Sequence, residues 1–286
     1  MTGTMERRDI VVGIDPVKNW HVALAWAVDE AHLRGAGLRL AVAVPPPHDT
    51  HHVDDTPRHL ARRQAGTEAL RAALTWAHTR QPGTKATSSL LDGFPAAALA
   101  ALSNEADIIV LGSRHLSRTE EFLSAGSLVV PVTAKAHCPV VVVGEAEHVT
   151  QETPYLVVGV DGSASSRAAL AWSFEEADLR RCALRAVAVW QPPVFTPHSG
   201  DTLFSAERRL LSETTAGWAD TYPDVRLTHE VLIGSPVETL AGAAEHALAV
   251  IVGRRGRGGY TGMRVGSVVH GLLHRAHCPV ITVPAR

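Results

Sequence analysis

Short apolar runs alternate along the chain with longer stretches in which apolar positions recur every three or four residues. In the second half the runs fall near 155–160, 183–190, 225–232, 248–253 and 279–283. Helical patterns lie between them, near 164–181, 204–222, 236–246 and 266–275. The run from Tyr155 to Val160 is apolar almost throughout, as expected of a strand covered on both faces. Strands alternating with helices predict βαβ units, a parallel sheet and right-handed crossovers. The result is an open, doubly wound α/β domain. Ligands of such sheets sit beyond the carboxyl ends of strands, where neighbouring connections leave toward opposite faces. The candidate ends here are Asp161, the loop 190–200 and the loop opening at Gly253.

The same pattern occurs twice. Ile10-Val11-Val12-Gly13-Ile14-Asp15 returns as Leu156-Val157-Val158-Gly159-Val160-Asp161, at an offset of 146. Ala25-Trp26 returns at that offset as Ala171-Trp172, and Leu38-Arg39 as Leu184-Arg185. Gly93-Phe94-Pro95 matches Gly234-Ser235-Pro236 at an offset of 141, and Ala136-His137-Cys138-Pro139-Val140 matches Ala276-His277-Cys278-Pro279-Val280 at 140. The offset shrinks slowly, so length differences are confined to loops. A tandem duplication follows, with domains 1–148 and 149–286 and a polar boundary from Gly144 to Pro154.

Composition narrows the class. Of 286 residues, 27 are Lys or Arg and 29 Asp or Glu, a formal net charge of −2 that supplies no general attraction to nucleic acid or an anionic membrane. Hydrophobic residues at 45% and charged residues at 20% are ordinary globular values. No apolar run approaches membrane-spanning length, and Met1–Asp9 is not followed by a signal-peptide core. Three cysteines without a CxxC do not make a disulfide scaffold. The expectation is a cytoplasmic protein.

The chemistry concentrates after the strand at 248–253. Gly253-Arg254-Arg255-Gly256-Arg257-Gly258-Gly259-Tyr260-Thr261-Gly262-Met263-Arg264-Val265-Gly266-Ser267 is glycine-rich and holds four arginines with no acid among them. Glycines let backbone approach a ligand and present consecutive N–H groups to an anion. Gly266-Ser267 then opens a helix, whose first N–H groups and dipole favour phosphate. The run is neither a Walker loop nor GxGxxG.

At these residues the sequence resembles the universal stress proteins, whose nucleotide-binding members carry Gly-x2-Gly-x9-Gly-Ser/Thr. Gly253, Gly256, Gly266 and Ser267 fit that spacing. The resemblance spans essentially the whole chain and includes the Gly-Val-Asp-Gly-Ser strand end, Gly-x-Pro and the final Cys-Pro-Val strand. It implies two tandem Rossmann-like domains, each an open five-stranded parallel sheet flanked by helices. It also implies ATP as ligand, with or without Mg2+ or Mn2+. Asp161 would face adenine or ribose, and Val189 would offer backbone contacts to adenine. Gly253, Arg254 and Gly256 would approach ribose and phosphates, while Gly266 and Ser267 would hold the phosphate chain. A helix cap or turn is the alternative for Asp161, and caps are favoured for Ser163 and Ser165.

The first copy departs from the pattern. It reads Gly112-Ser113-Arg114-His115 and then Gly126-Ser127, with His115 at the second glycine and ten residues before the third. Glu120 and Glu121 place negative charge in its loop, and Pro16 follows Asp15 where the second copy has Gly162. Weak or absent nucleotide binding is expected there. His48, His51, His52 and His59 with Asp49, Asp54 and Asp55 read as a solvated loop rather than a metal site, and Cys138 and Cys278 as buried structural thiols. The expected function is a stress-response regulatory or signalling module with nucleotide in the second domain. A slow ATPase or phosphoryl-transfer enzyme is the alternative, for which no catalytic base is identified, as is a partner-binding protein without ligand. Pairing of the two domains through terminal strands, and a homodimer, are the expected associations.

Overall fold

The apolar runs form strands. The computed structural model describes residues 8–47, 55–113, 128–144, 148–191, 200–257 and 265–285. By internal contacts the chain divides into Met1–Glu145 and Ala146–Arg286. The first unit contains β1 (Ile10–Gly13), α1 (His21–Arg34), β2 (Leu38–Val44), α2 (Thr56–Arg80), β3 (Ala86–Asp92), α3 (Pro95–Leu102), β4 (Ile108–Ser113), α4 (Val129–Lys135) and β5 (Val140–Gly144). The second contains β6 (Tyr155–Gly159), α5 (Ala164–Arg180), β7 (Ala183–Trp190), α6 (Gly200–Thr215), α7 (Trp218–Thr221), β8 (Leu227–Ile233), α8 (Pro236–Ala243), β9 (Ala249–Gly253), α9 (Ser267–Arg275) and β10 (Val280–Val283).

Within the first unit the strand order is β3-β2-β1-β4-β5, and within the second β8-β7-β6-β9-β10, all pairs parallel. Two open parallel five-stranded sheets are therefore present, as the alternation of elements requires. Each unit reverses direction of strand addition once, between β1 and β4 and between β6 and β9. These are the points at which a crevice opens past the carboxyl ends.

Burial explains why the strands read as they do. Val11, Val12, Ile109, Val110, Val157, Val158, Val250 and Ile251 are all buried, because helices cover both sheet faces. Leu38, Leu40, Leu156, Leu184 and Phe174 complete the two cores, each contributing roughly 1.5–3 kcal/mol relative to exposure. β3 and β8 lie outermost and carry Thr87-Ser88 and Thr228-His229 at exposed positions.

The helical pattern near 204–222 does not form one helix. α6 ends at Thr215, Gly217 turns into the left-handed region at φ 81°, and α7 begins at Trp218. The turn re-aims the chain so that Trp218 and Tyr222 stack on Phe174 of α5, at 5.1 and 5.7 Å between ring centroids. Burial of the aromatic rings outweighs continuation of the helix. Among the described residues no helix is long and apolar enough to cross a membrane.

Candidate functional site

At the β6–β9 crevice two chain segments meet. β6 runs into Asp161-Gly162-Ser163, and Ser163 caps α5 by accepting the Ser166 N–H at 3.1 Å. β9 runs into Gly253-Arg254-Arg255-Gly256-Arg257. The Asp161 carboxylate joins them. Its Oδ1 accepts the Ser163 N–H at 2.9 Å, and its Oδ2 accepts the Arg257 N–H at 2.9 Å. The Ser163 hydroxyl adds a 3.3 Å donation to the Arg255 carbonyl. Burial pushes the Asp161 carboxyl up, but the hydrogen bonds from Ser163, Arg257 and Ser166 outweigh it and hold the group below the usual carboxylate range.

The start of α9 closes the other side of this loop. The Gly266 N–H donates to the Arg254 carbonyl at 3.0 Å, and the Arg254 N–H donates to the Val283 carbonyl at 2.9 Å. The first bond along the helix is His270 N–H to Gly266 carbonyl. The N–H groups of Ser267, Val268 and Val269 therefore precede the helical ladder and face the helix entrance, where an anion is favoured. Val189 stands one residue before the end of β7. Gly159 pairs with Val187, and the Val160 N–H donates to the Val187 carbonyl, which completes the β6 side of the pairing. By strand alternation the N–H and C=O of Val189 point to that same side, past the end of β6.

Charge is arranged less simply than the run of arginines suggests. Burial, then the like charge of Arg255, lowers the pKa of Arg254, so the ionised guanidinium is held at a cost that an anion would offset. The Arg257 guanidinium lies 3.7 Å from Glu207 on α6, so tertiary structure supplies an acid that the loop lacks. Arg264 lies outside the described residues, as do Gly258, Gly259 and Gly262.

Two glycines of the spacing answer to packing. A Cβ at Gly253 would lie 2.5 Å from the Ser165 carbonyl carbon and 2.6 Å from its Cβ, so the close approach of α5 to β9 requires glycine. A Cβ at Gly256 would lie 2.6 Å from Asp161 Oδ2. Gly266 is different, since its Cβ would meet the Arg254 carbonyl oxygen at an ordinary 3.4 Å. Asp161, Gly253, Arg254, Gly256, Gly266 and Ser267 are thus brought together, with Val189 on the neighbouring strand. Glu207 had no local sequence signal; the Asp-Gly-Ser-x-x-Ser run did, as an Asx turn leading into a cap. Ser163 is that cap, whereas Ser165 is buried against Gly253.

The first unit builds this corner differently. Asp15 Oδ1 accepts the Val17 N–H at 3.0 Å, and Oδ2 pairs with Lys18 at 3.2 Å. Gly162 has φ 76°, which Pro16 cannot adopt, because its ring holds φ near −65°. α1 accordingly begins at His21, three residues later in the repeat than α5, with no side-chain cap at Trp20. His115, Glu120, Glu121, Gly126 and Ser127 lie outside the described residues. So do His48, Asp49, His51, His52 and Asp54; a ring nitrogen of His59 is 2.9 Å from the Pro45 carbonyl, and Asp55 pairs with Arg58 and Arg62. Among the described residues no group of three His, Cys, Asp or Glu could hold a metal. Cys138 and Cys278 are buried free thiols, each pushed up to about 12 by desolvation.

Comparison with known proteins gives a consistent family. The model of the universal stress protein family matches residues 6–144 and 155–284. Universal stress protein Rv2623 of Mycobacterium tuberculosis (strain H37Rv) is 34% identical over 297 residues, covering 95% of each chain. The crystal structure of a universal stress protein from Archaeoglobus fulgidus DSM 4304 is similar over 97% of this chain and 96% of its own, with a TM-score of 0.73 at 18% identity. A further universal stress protein from Archaeoglobus fulgidus, solved in complex with dAMP, covers 48% of this chain and 98% of its own, at 24% identity and a TM-score of 0.35.

Proposed function

The chain belongs to the universal stress protein family, and from that premise we propose that its second domain binds ATP at the β6–β9 crevice as a regulatory module. The observation that carries the reading is the entrance of α9. Three N–H groups ahead of the helical ladder lie beside the Arg254–Gly256 backbone, next to a guanidinium whose burial an anion would offset. In this reading Ser267 and the first turn of α9 hold phosphates, with Arg254 and the backbone of Gly253 and Gly256 alongside. Gly266 leaves the entrance open. Val189 offers its N–H and C=O to the adenine edge, and Asp161 borders the ribose. The donor set fits a nucleoside polyphosphate; the described residues offer no metal cage, so any Mg2+ or Mn2+ would arrive on the phosphates. The first domain, with Pro16 and a late-starting α1, takes nucleotide weakly or not at all. No carboxylate of the described loop is free to serve as a base, which favours binding over turnover. Occupancy of the second domain would modulate association of the chain, including pairing of its domains or a homodimer.

Nucleotide content of the purified chain tests this directly. ATP is expected at one equivalent per chain, and Gly266→Glu is expected to remove it while Gly266→Ala retains it. ATP content unchanged by the glutamate, or two equivalent sites per chain, would overturn the assignment. Hydrolysis above background with Mg2+ or Mn2+ would favour the enzyme instead.

A further inference from the structure

We propose that Asp161 is a positioning residue for the β9–α9 loop, and that position 256 is glycine because the Asp161 carboxylate occupies the place of its side chain. The inference rests on the nucleotide reading for its functional consequence, although its geometry stands apart from any ligand. A glycine in a phosphate loop is ordinarily explained by the room it leaves for the anion. Here the volume beside Gly256 is taken by a protein atom, with Asp161 Oδ2 2.6 Å from where a Cβ would stand. That same oxygen accepts the Arg257 N–H at 2.9 Å, so the carboxylate must lie close over the loop to make the bond. Its second oxygen is held by the Ser163 N–H at 2.9 Å, which fixes the carboxylate to the α5 entrance. A carboxylate bound at both oxygens to backbone N–H groups on two segments acts as a staple, and the missing Cβ is the space the staple needs. Gly256 has no left-handed φ, so backbone conformation does not demand glycine there.

The first unit carries the pair altered at both members. His115 stands at the position of Gly256, and Asp15 turns its carboxylate to Val17 and Lys18 within its own turn. Once that oxygen no longer lies over the loop, a side chain at the glycine position meets no staple. The ligand-room explanation makes no such connection between the two residues.

A double-mutant cycle in the full chain separates the explanations. Gly256→Ala, Asp161→Ala and the double variant are compared by amide exchange at Arg257 without nucleotide, and by ATP titration calorimetry. Loss of a hydrogen bond to a charged acceptor predicts exchange at Arg257 faster by roughly tenfold or more in either single variant. The double variant is expected to exchange no faster than Asp161→Ala alone, and ATP affinity is expected to follow the same non-additive pattern. Asp161→Asn keeps the obstruction, so Gly256→Ala should remain costly in that background. Arg257 exchange unchanged by Gly256→Ala overturns the proposal, as do effects on exchange that multiply in the double variant. Affinity effects that multiply while exchange does not would assign Gly256 to ligand room and overturn the functional half. Should the wild type take up no ATP, the proposed function fails, and Arg257 exchange still decides the Asp161–Gly256 pair.

Discussion

Gly253→Ala is the substitution whose cost follows most directly from the structure. A methyl at this position would stand 2.5 Å from the Ser165 carbonyl carbon and 2.7 Å from its oxygen, both backbone atoms of α5. No rotamer change relieves that contact, so α5 must withdraw from β9 by about 1 Å to restore ordinary separation near 3.5 Å. Ala169, Leu170, Ser173, Phe174 and Ala177 all sit buried on the same helix. A gap of that size forfeits a quarter to a half of each contact across it, which puts the cost at about 2–3 kcal/mol. The first unit contains the control. A Cβ at Gly112, at the matching place in β4, would meet only the Ala23 Cβ at an ordinary 3.6 Å. Gly112→Ala is therefore expected within about 0.5 kcal/mol of wild type. Urea denaturation and thermal melting measure both, with a drop of roughly 5–10 °C expected for Gly253→Ala alone. Equal stability of the two variants would refute the packing explanation. Full stability with loss of ATP would return Gly253 to a ligand-contact role.

Removing the cap in Ser163→Ala should cost about 1 kcal/mol in urea melts, because the Ser166 N–H loses its acceptor, and loop exchange should rise because the Arg255 carbonyl loses its donor. Replacing Arg181 by glycine should stabilise the second domain by about 0.5–1 kcal/mol, since Arg181 ends α5 at φ 52° where the matching Gly35 ends α1 at φ 62°. Calorimetric melts of the two chains read that gain. Asp161 predicts a pH effect of definite sign. Its folded-state pKa is depressed, so its contribution is fully present above the unfolded value of about 3.9 and is lost as pH falls through the folded value. The stability difference between wild type and Asp161→Asn should hold constant from about pH 5 to 8 and shrink below about pH 4. A difference that grows in acid would contradict the hydrogen-bonding account.

Much of the molecule was readable from periodicity. The run from Tyr155 to Val160 is the central strand β6 because a parallel strand covered on both faces has no reason to alternate. The matched Gly-Val-Asp and Cys-Pro-Val segments placed two copies of one α/β unit. The 204–222 pattern misled because its spacing is compatible with a single helix. Only the reach of Trp218 and Tyr222 to Phe174 explains the break at Gly217. In the candidate site, the spacing Gly253, Gly256, Gly266, Ser267 identified the segment without revealing why each residue is there.

Sequence by itself determined the duplication, the parallel fold and the inequality of the two loops, because repeats, apolar runs and glycine spacing are properties of neighbouring positions. Tertiary structure decided what the glycines are for. Ser165 stands against Gly253 and the Asp161 carboxylate against Gly256, although 88 and 95 positions of chain separate these partners. It also brought Glu207 to Arg257, tempering a cluster of arginines that no acid within the loop opposes. Close packing acts on distances in space, so a missing Cβ acquires its reason only when the opposing atom is in place.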